Sequence, residues 1–375
     1  MADTPSIDLS KAIPPTPPEL NSGLHDVLAE FASEPNVGER LRRNRIGGND
    51  EDREAGAVWL GRRLGEKPSH DRIIMAHGTQ NLLGLLLRHY VGEKQTLLAE
   101  ALTYPVLVPL AARYGVKVRG VAIDESGLLP DAFEAACRQW QPKALFCNPT
   151  VHNPTTSVLP AARRRSVVSI ARRYGVVIIE DDVLGPLHKV EPPPLASIAP
   201  DAVWYIQSVS KCMALGLKVA FLVGPSAMYV QQLVGPVSNH SFWFPSALAA
   251  EIATRLILSG RAEEICQSIA DRASQRQAIA RKTLRDFSFQ SEAGGLHIWL
   301  NLPSHISGGT CVAKAAALGV QIRAAEEFST LGESANNSIP QAVRIALTSP
   351  ITDAMLQDGL ARLASILYGS ADPAP

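Results

Sequence analysis

The sequence predicts an α/β protein on a mainly parallel, seven-stranded sheet, a large α/β domain followed by a smaller α+β one. Three observations predict it. Short, β-branched apolar runs alternate with longer amphipathic stretches between about residues 72 and 223, the pattern of repeated strand–helix–strand units. Those runs are continuously apolar, as strands buried on both faces are. And 46% of the 375 residues are hydrophobic, ample for a large core.

The elements follow in order. The head, Ala12-Ile13-Pro14-Pro15-Thr16-Pro17-Pro18, is too rich in proline for helix or central strand and reads as an extended arm. Residues 72–76 form a first strand and 80–90 a helix; 96–100 and 106–114 repeat the pair. Residues 116–123 are strand-like, 130–139 helical, 144–147 a buried strand and 160–174 a helix. Residues 176–179, 203–206 and 219–223 are strands. After Phe242-Trp243-Phe244-Pro245 a helical region covers about 246–284, interrupted by the polar Ser-Gly-Arg at 259–261. Beyond it, Gly295-Leu296-His297-Ile298-Trp299-Leu300 and Val343-Arg344-Ile345-Ala346-Leu347 look like antiparallel strands. The division is an arm over 1–45 packing with the small domain, a large domain over 46–255 and a small one over 256–375. The tail from Gly369 reads as frayed.

Charge and composition exclude several classes. Lys+Arg and Asp+Glu are equal at 36 each, so no basic excess points to nucleic acid. The longest apolar runs are strand-length, so no membrane span is expected. No cationic stretch followed by an apolar core opens the chain, so no secretory signal is expected. Five scattered cysteines lack metal-like spacing and read as free thiols in a reducing cytoplasm.

Lys211 is the most informative position. It closes Ser208-Val209-Ser210-Lys211, straight after an apolar strand, with Lys218 seven residues on. An amine flanked by hydroxyls and a second cation suits an anionic carbonyl cofactor; a solvated surface lysine is the plain alternative. Asp181 and Asp182, preceded by Glu180, end another apolar strand, where ligands bind in open α/β sheets; a solvated turn is the alternative. Asn153-Pro154-Thr155 is either a turn or the source of an amide donor. Gly78-Thr79-Gln80 opens a helix, where backbone N–H groups suit a phosphate. It lacks the Gly-Lys-Ser/Thr of a P-loop, and no Gly-x-Gly-x-x-Gly follows a strand, which discounts a dinucleotide-binding dehydrogenase. Tyr104 could stack on a flat ring or be simply half-buried. Arg344, bracketed by Val343 and Ile345, needs a carboxylate, structural or substrate-borne.

Taken in order, Gly-Thr-Gln (78–80), Thr-Tyr-Pro (103–105), Asn-Pro-Thr (153–155), Glu-Asp-Asp (180–182), Ser-x-Ser-Lys (208–211), Lys218 and Val-Arg-Ile-Ala-Leu (343–347) resemble the fold-type-I pyridoxal-phosphate (PLP) aminotransferases, class I/II. Ile-Glu-Asp-Asp, Gly-Gly-Leu-His-Ile-Trp-Leu and Gly-Val-Gln-Ile-Arg look most like the aminotransferase-type domain of MocR regulators, over residues 7–367. Those regulators carry a DNA-binding head; its lack of room here leads us to expect a free-standing enzyme. The resemblance implies that Lys211 forms the Schiff base with PLP and shuttles the substrate proton. It implies Asp181 on the pyridine nitrogen, Asn153 on the ring hydroxyl and Tyr104 stacked on the ring. Gly78, Thr79, Gln80, Ser208, Ser210 and Lys218 would hold the phosphate. Arg344, with Asn153, would bind the substrate α-carboxylate. It further implies a homodimer with active sites at the subunit interface, and amino transfer between an amino acid and a 2-oxo acid in amino-acid metabolism.

Several positions depart from that pattern. The family's tyrosine after the acidic pair is missing from Asp182-Val183-Leu184, so the Schiff base should keep its proton to higher pH. The usual arginine after the lysine is Lys218, a point charge rather than a fork. Thr156 stands where a glycine is usual. Aligning Gly48 and Arg53 with the family's Gly-x4-Arg stretch puts Arg43 at the tyrosine that reaches the partner's phosphate. These departures leave room for a PLP-dependent lyase, decarboxylase or cyclase, and the MocR kinship for a non-enzymatic PLP- or amino-acid-sensing module. A second arginine on the substrate side chain would imply a dicarboxylate; Arg42, Arg43, Arg45 and Arg323 are the candidates. Phe242, Trp243 and Phe244 read as core or interface before they read as a substrate wall.

Overall fold

The computed structural model describes residues 6–188, 192–330 and 339–369; the expected frayed tail lies almost wholly outside the described residues. Seven strands form one sheet, in the order Ile73–Ala76, Ala220–Val223, Val203–Ser208, Val177–Asp181, Ala144–Cys147, Thr96–Glu100 and Lys117–Val121. All are parallel except Ala220–Val223, which runs against both neighbours. The expected fold class is the one the chain adopts.

The alternation of side chains along each strand loads both faces of the sheet. Leu145, Ile178, Tyr205 and Phe221 enter one apolar layer. Their neighbours Phe146, Ile179, Trp204 and Leu222 enter the other. Helices cover these faces. Pro130–Trp140 starts with proline at its first turn and buries Phe133, Ala136 and Cys137. Ala161–Tyr174 ends on Gly175, whose φ of 64° is the left-handed conformation that stops a helix.

This topology builds a rim. Gly78, Tyr104, Asn153 and Lys211 all lie just past the carboxyl ends of parallel strands, and Asp181 ends its own. Ala220 pairs with both Ser208 and Ala76, so Lys218, two residues earlier, joins the same rim. Ligands bind along such a rim in open α/β sheets.

The smaller sheet is antiparallel, in the order Phe289–Gln290, His297–Asn301, Ala342–Ala346 and Arg323–Ala324. Gly308–Ala317 and Asp353–Leu367 pack around its Ile298, Leu300, Val343 and Ile345. The N-terminal arm divides its contacts. Ile7–Asp8 pairs in parallel with Val320–Gln321, and Ile7 and Leu9 enter the small-domain core. Helix Pro18–Ser33 instead places Leu20 and Val27 in the large core, against Ala247–Leu258 and Arg261–Thr283. Helix Ala247–Leu258 runs through residue 255, so no break in structure marks that position.

Elsewhere the structure departs from the expected elements. Residues 80–90 are not one helix: Gly78–Leu85 is α-helical and Leu86–Val91 continues as a π turn. The strand expected at 116–123 stops at Val121 and resumes as the hairpin of Ile123–Asp124 with Gly127–Leu128. Helix Asp50–Leu64 was not anticipated; its charged face hides the apolar stripe, though Asn49 and Asp52 form a reciprocal cap.

A buried ionic cluster ties the arm to the large domain. Arg45 Nη1 donates to both carboxylate oxygens of Asp52, at 2.8 and 2.9 Å, and its Nη2 donates to Glu251. Arg40 and Arg255 each donate to Glu251 at 2.7 Å. Thr254 donates to Asp52 at 2.7 Å. Among the described residues no helix is long and apolar enough to cross a membrane. All five cysteines are free and buried.

Candidate active site

The rim opens into a cavity of about 460 Å³ between the large sheet, the smaller sheet and residues Ser10–Ala12 near the N-terminus. Its size falls in the roughly 300–1,000 Å³ range of small-molecule sites. Lys211 lies on its floor, in the turn after Val203–Ser208. Burial, and then the charges of Arg344 and Lys218, push the Lys211 ammonium down to about 8. Near neutral pH roughly a tenth of the amine is therefore unprotonated and nucleophilic, far more than for an ordinary lysine. Its Nζ donates to the Ala12 carbonyl of the arm.

Asp181 faces the same cavity and is buried, with Oδ1 lacking any hydrogen-bond partner among the described residues. Burial first, then the charges of Asp182 and Glu100, raise its carboxyl to about 8. Such a carboxylate calls for a cation facing it. Asn148 holds it in place from behind, donating Nδ2 to the Asp181 carbonyl. The Asn148 Oδ1 accepts from the Asn153 backbone at 2.8 Å, and its own N–H donates to Glu100 at 3.1 Å. One amide thus fixes both positions.

The other end of the cavity is built for an anion. Gly78, at φ 75°, opens helix Gly78–Leu85, and Thr79 and Gln80 line the cavity beside it. Ser208 Oγ donates to Ser210 Oγ at 2.9 Å, and Lys218 sits alongside, its own φ at 53°. Backbone N–H groups, two hydroxyls and an ammonium together suit a phosphate. Gln80 Nε2 donates to the Tyr104 hydroxyl at 3.0 Å, holding that ring over the cavity wall.

Arg344 approaches from the smaller sheet, on strand Ala342–Ala346. Its Nη1 donates to Asn153 Oδ1 at 2.8 Å, its Nη2 to the Ser10 carbonyl, and its guanidinium covers the Phe328 ring at 4.9 Å. Accepting from Arg344 fixes the Asn153 amide so that Nδ2 is left as the donor. Burial, then the charge of Arg323, lowers Arg344 to about 10. His297 is buried on the same wall, and burial drives it down to about 3.

Eleven of the twelve site positions expected from sequence line this one cavity; Arg43 does not, and is exposed. Val183 lines it where the family's phenol is missing. Thr156 adopts φ 64°, the left-handed conformation that makes glycine usual there. Trp243 is core, its indole donating to the Val237 carbonyl at 3.0 Å, while Phe242 is exposed. Sequence reading missed Asn148, His297 and Ser10–Ala12. Asn148 opens the same turn as Asn153, which is the one signal that points to it.

Pyridoxal phosphate fits these residues. The buried carboxylate with Oδ1 unpaired among the described residues, the depressed amine and the phosphate-type cradle each match a different part of it.

The chain matches the family described as aminotransferase class I and II over residues 8–363. It is 32% identical over 312 residues to the uncharacterised HTH-type transcriptional regulator YdeF of Bacillus subtilis, covering 83% of this chain and 66% of that one. It is 27% identical over 262 residues to the 2-aminoadipate transaminase of Thermus thermophilus, covering 67% and 64%. The chain thus spans slightly less than two thirds of either relative's length. In fold it is similar to an archaeal alanine:glyoxylate aminotransferase, with a TM-score of 0.87 at 20% identity, covering 98% of this chain and 92% of that one. It is also similar to LysN, the α-aminoadipate aminotransferase of Thermus thermophilus complexed with N-(5'-phosphopyridoxyl)-L-leucine, with a TM-score of 0.83 at 22% identity, covering 97% and 92%. The chain belongs to the class I and II aminotransferases.

Proposed function

We propose that this family member is a PLP-dependent aminotransferase that moves an amino group between an amino acid and a 2-oxo acid. One observation carries the reading: Lys211, Asp181 and Arg344 meet in a single cavity, where burial moves the proton affinity of each away from its ordinary value. When bound, the cofactor supplies an aldehyde and an electron-withdrawing ring.

The chain's own residues do the rest. Lys211 Nζ would hold the cofactor at its aldehyde carbon. Its amine would be the base that moves the substrate Cα proton. The Asp181 carboxylate would pair with the cofactor's pyridine nitrogen and favour a proton there. Asn153 Nδ2 donates to the ring oxygen, and Tyr104 stacks on the ring. Gly78, Thr79, Gln80, Ser208, Ser210 and Lys218 hold the phosphate. Arg344 takes the substrate α-carboxylate, exchanging the Ser10 carbonyl for it. The arm over the cavity excludes water.

A homodimer in a reducing cytoplasm completes the proposal. Leu41, Ile46, Phe242 and Leu248 are exposed apolar residues suited to a subunit contact, and Arg43 lies beside the first of them in sequence. Five buried free thiols suit a reducing compartment. Sedimentation of the purified protein at dimer mass supports the first point; a monomer at micromolar concentration refutes it.

The test of function is a single half-reaction with one amino acid. Equal amounts of 2-oxo acid and the amine form of the cofactor support the proposal. Release of ammonia or CO₂ would make the chain a lyase or decarboxylase. The relatives named as HTH-type regulators favour a second reading, an amino-acid-sensing module. Binding without turnover across a broad panel would establish that reading instead.

A further inference from the structure

We propose that the cavity selects amino acids whose side chain ends in a carboxylate, with Arg323 binding that distal group while Arg344 binds the α-carboxylate. The proposal rests on the aminotransferase reading above. Strand Arg323–Ala324 pairs antiparallel with Ala342–Ala346, and the register sets Arg323 directly opposite Arg344. Directly opposed residues project from the same face, about 5 Å apart at Cβ, and like charges there are destabilising. Both guanidiniums line the cavity. Two arginines in register on one small strand pair, facing one hollow, make a fork for a dianion.

The resting chain leaves this pair short of negative charge. Arg344 spends its donors on neutral oxygens, those of Asn153 and Ser10, and its Nε has no partner among the described residues. Among the described residues Arg323 has one ion pair, through Nε to Glu327 at 3.8 Å, beyond hydrogen-bond length and with both side chains partly exposed. Among the described residues five Lys and Arg side chains but one carboxylate, Asp181, line the cavity. A cofactor phosphate accounts for Lys218, and an α-carboxylate for Arg344. Arg323 remains. Lys11 is nearer solvent and already lies 3.7 Å from Asp8.

The other arginines raised by the sequence fail on placement. Arg42 is exposed and pairs with Glu39 at 3.4 Å. Arg45 is consumed by Asp52 and Glu251. Arg43 lies outside the cavity lining. Arg344 is the more buried member of the cross-strand pair, so it suits the group fixed near Lys211. Arg323, closer to the mouth, suits the end of the side chain. Its planar fork matches a carboxylate bidentately.

The experiment uses the cofactor-loaded protein and its Arg323→Gln and Arg323→Lys variants. Half-reaction rates are read for aspartate, glutamate and the one-carbon-longer homologue against norleucine and glutamine. We expect a dicarboxylate to be preferred. Arg323→Gln should lower the ratio of dicarboxylate to neutral kcat/KM by roughly 10- to 100-fold, the loss typical of a hydrogen bond to a charged group. Arg323→Lys should recover part of it. A preference for norleucine, or an unchanged ratio in Arg323→Gln, overturns the proposal. Calorimetric binding of glutarate, which has no amine to transfer, separates the two claims. Glutarate binding that weakens in Arg323→Gln supports the subsite even where no amino acid turns over, in which case the aminotransferase reading alone fails. Turnover of neutral amino acids with no glutarate binding refutes the subsite and leaves the aminotransferase reading standing.

Discussion

Asp181→Asn should stabilise the cofactor-free chain while weakening its hold on the cofactor. The Asp181 carboxyl is raised from 3.8 to about 8, with burial the first cause. A group raised in the fold binds its proton more tightly there than in the unfolded chain. Below pH 3.8 both states are protonated and the penalty is absent. Between about pH 4 and pH 8 only the folded chain keeps the proton, so stability falls as pH rises. At pH 7 the interval above 3.8 is about three pH units, or ~4 kcal/mol at 1.36 kcal/mol per unit, an upper bound because the side chain faces a cavity water can enter. Asparagine is nearly isosteric and never ionises. Urea unfolding of both cofactor-free proteins from pH 4 to pH 8 is the assay. The variant's advantage should grow from near zero to about 2–4 kcal/mol across that range. With cofactor present the order should reverse, because the neutral amide cannot pair with a pyridinium. A variant less stable than the parent at pH 7 without cofactor, or an advantage independent of pH, would refute the reasoning.

Other outcomes follow from the same geometry. The rate at which the cofactor-free chain captures pyridoxal phosphate, followed by absorbance, should rise with pH through an inflection near 8, where the Lys211 amine loses its proton. Replacing Arg344 by leucine removes a repelling cation and should move that inflection upward; a flat profile from pH 6.5 to 9.5 contradicts this. Glu251→Gln strips the shared acceptor from Arg40, Arg45 and Arg255 and should cost about 3 kcal/mol in urea unfolding. A loss under 1 kcal/mol would show that the cluster is solvated in solution.

The large sheet was legible because parallel strands buried on both faces announce themselves as unbroken apolar runs. Residues 176–179 and 203–206, within the strands Val177–Asp181 and Val203–Ser208, are such runs. The rim positions were legible because each follows a strand at short spacing, so Asp181 and Lys211 needed only the strand ends to be found. Helix Asp50–Leu64 was not, because surface charge dominates its composition and its cap is a local geometry. Asn148 and His297 were missed for a different reason: one acts through a backbone carbonyl on another strand, the other through burial. Arg323 was one of four equal arginines until strand pairing set it opposite Arg344. A sequence carries no sign of such register when the strand is two residues long.

The most direct test is where the cofactor attaches. The protein loaded with pyridoxal phosphate is reduced with borohydride, digested and mapped by mass spectrometry. The account predicts one equivalent of phosphopyridoxyl on Lys211, and loss of both the label and all turnover in Lys211→Ala. A label on Lys218 or Lys11, or a Lys211→Ala protein that still transaminates at the parent rate, would contradict it.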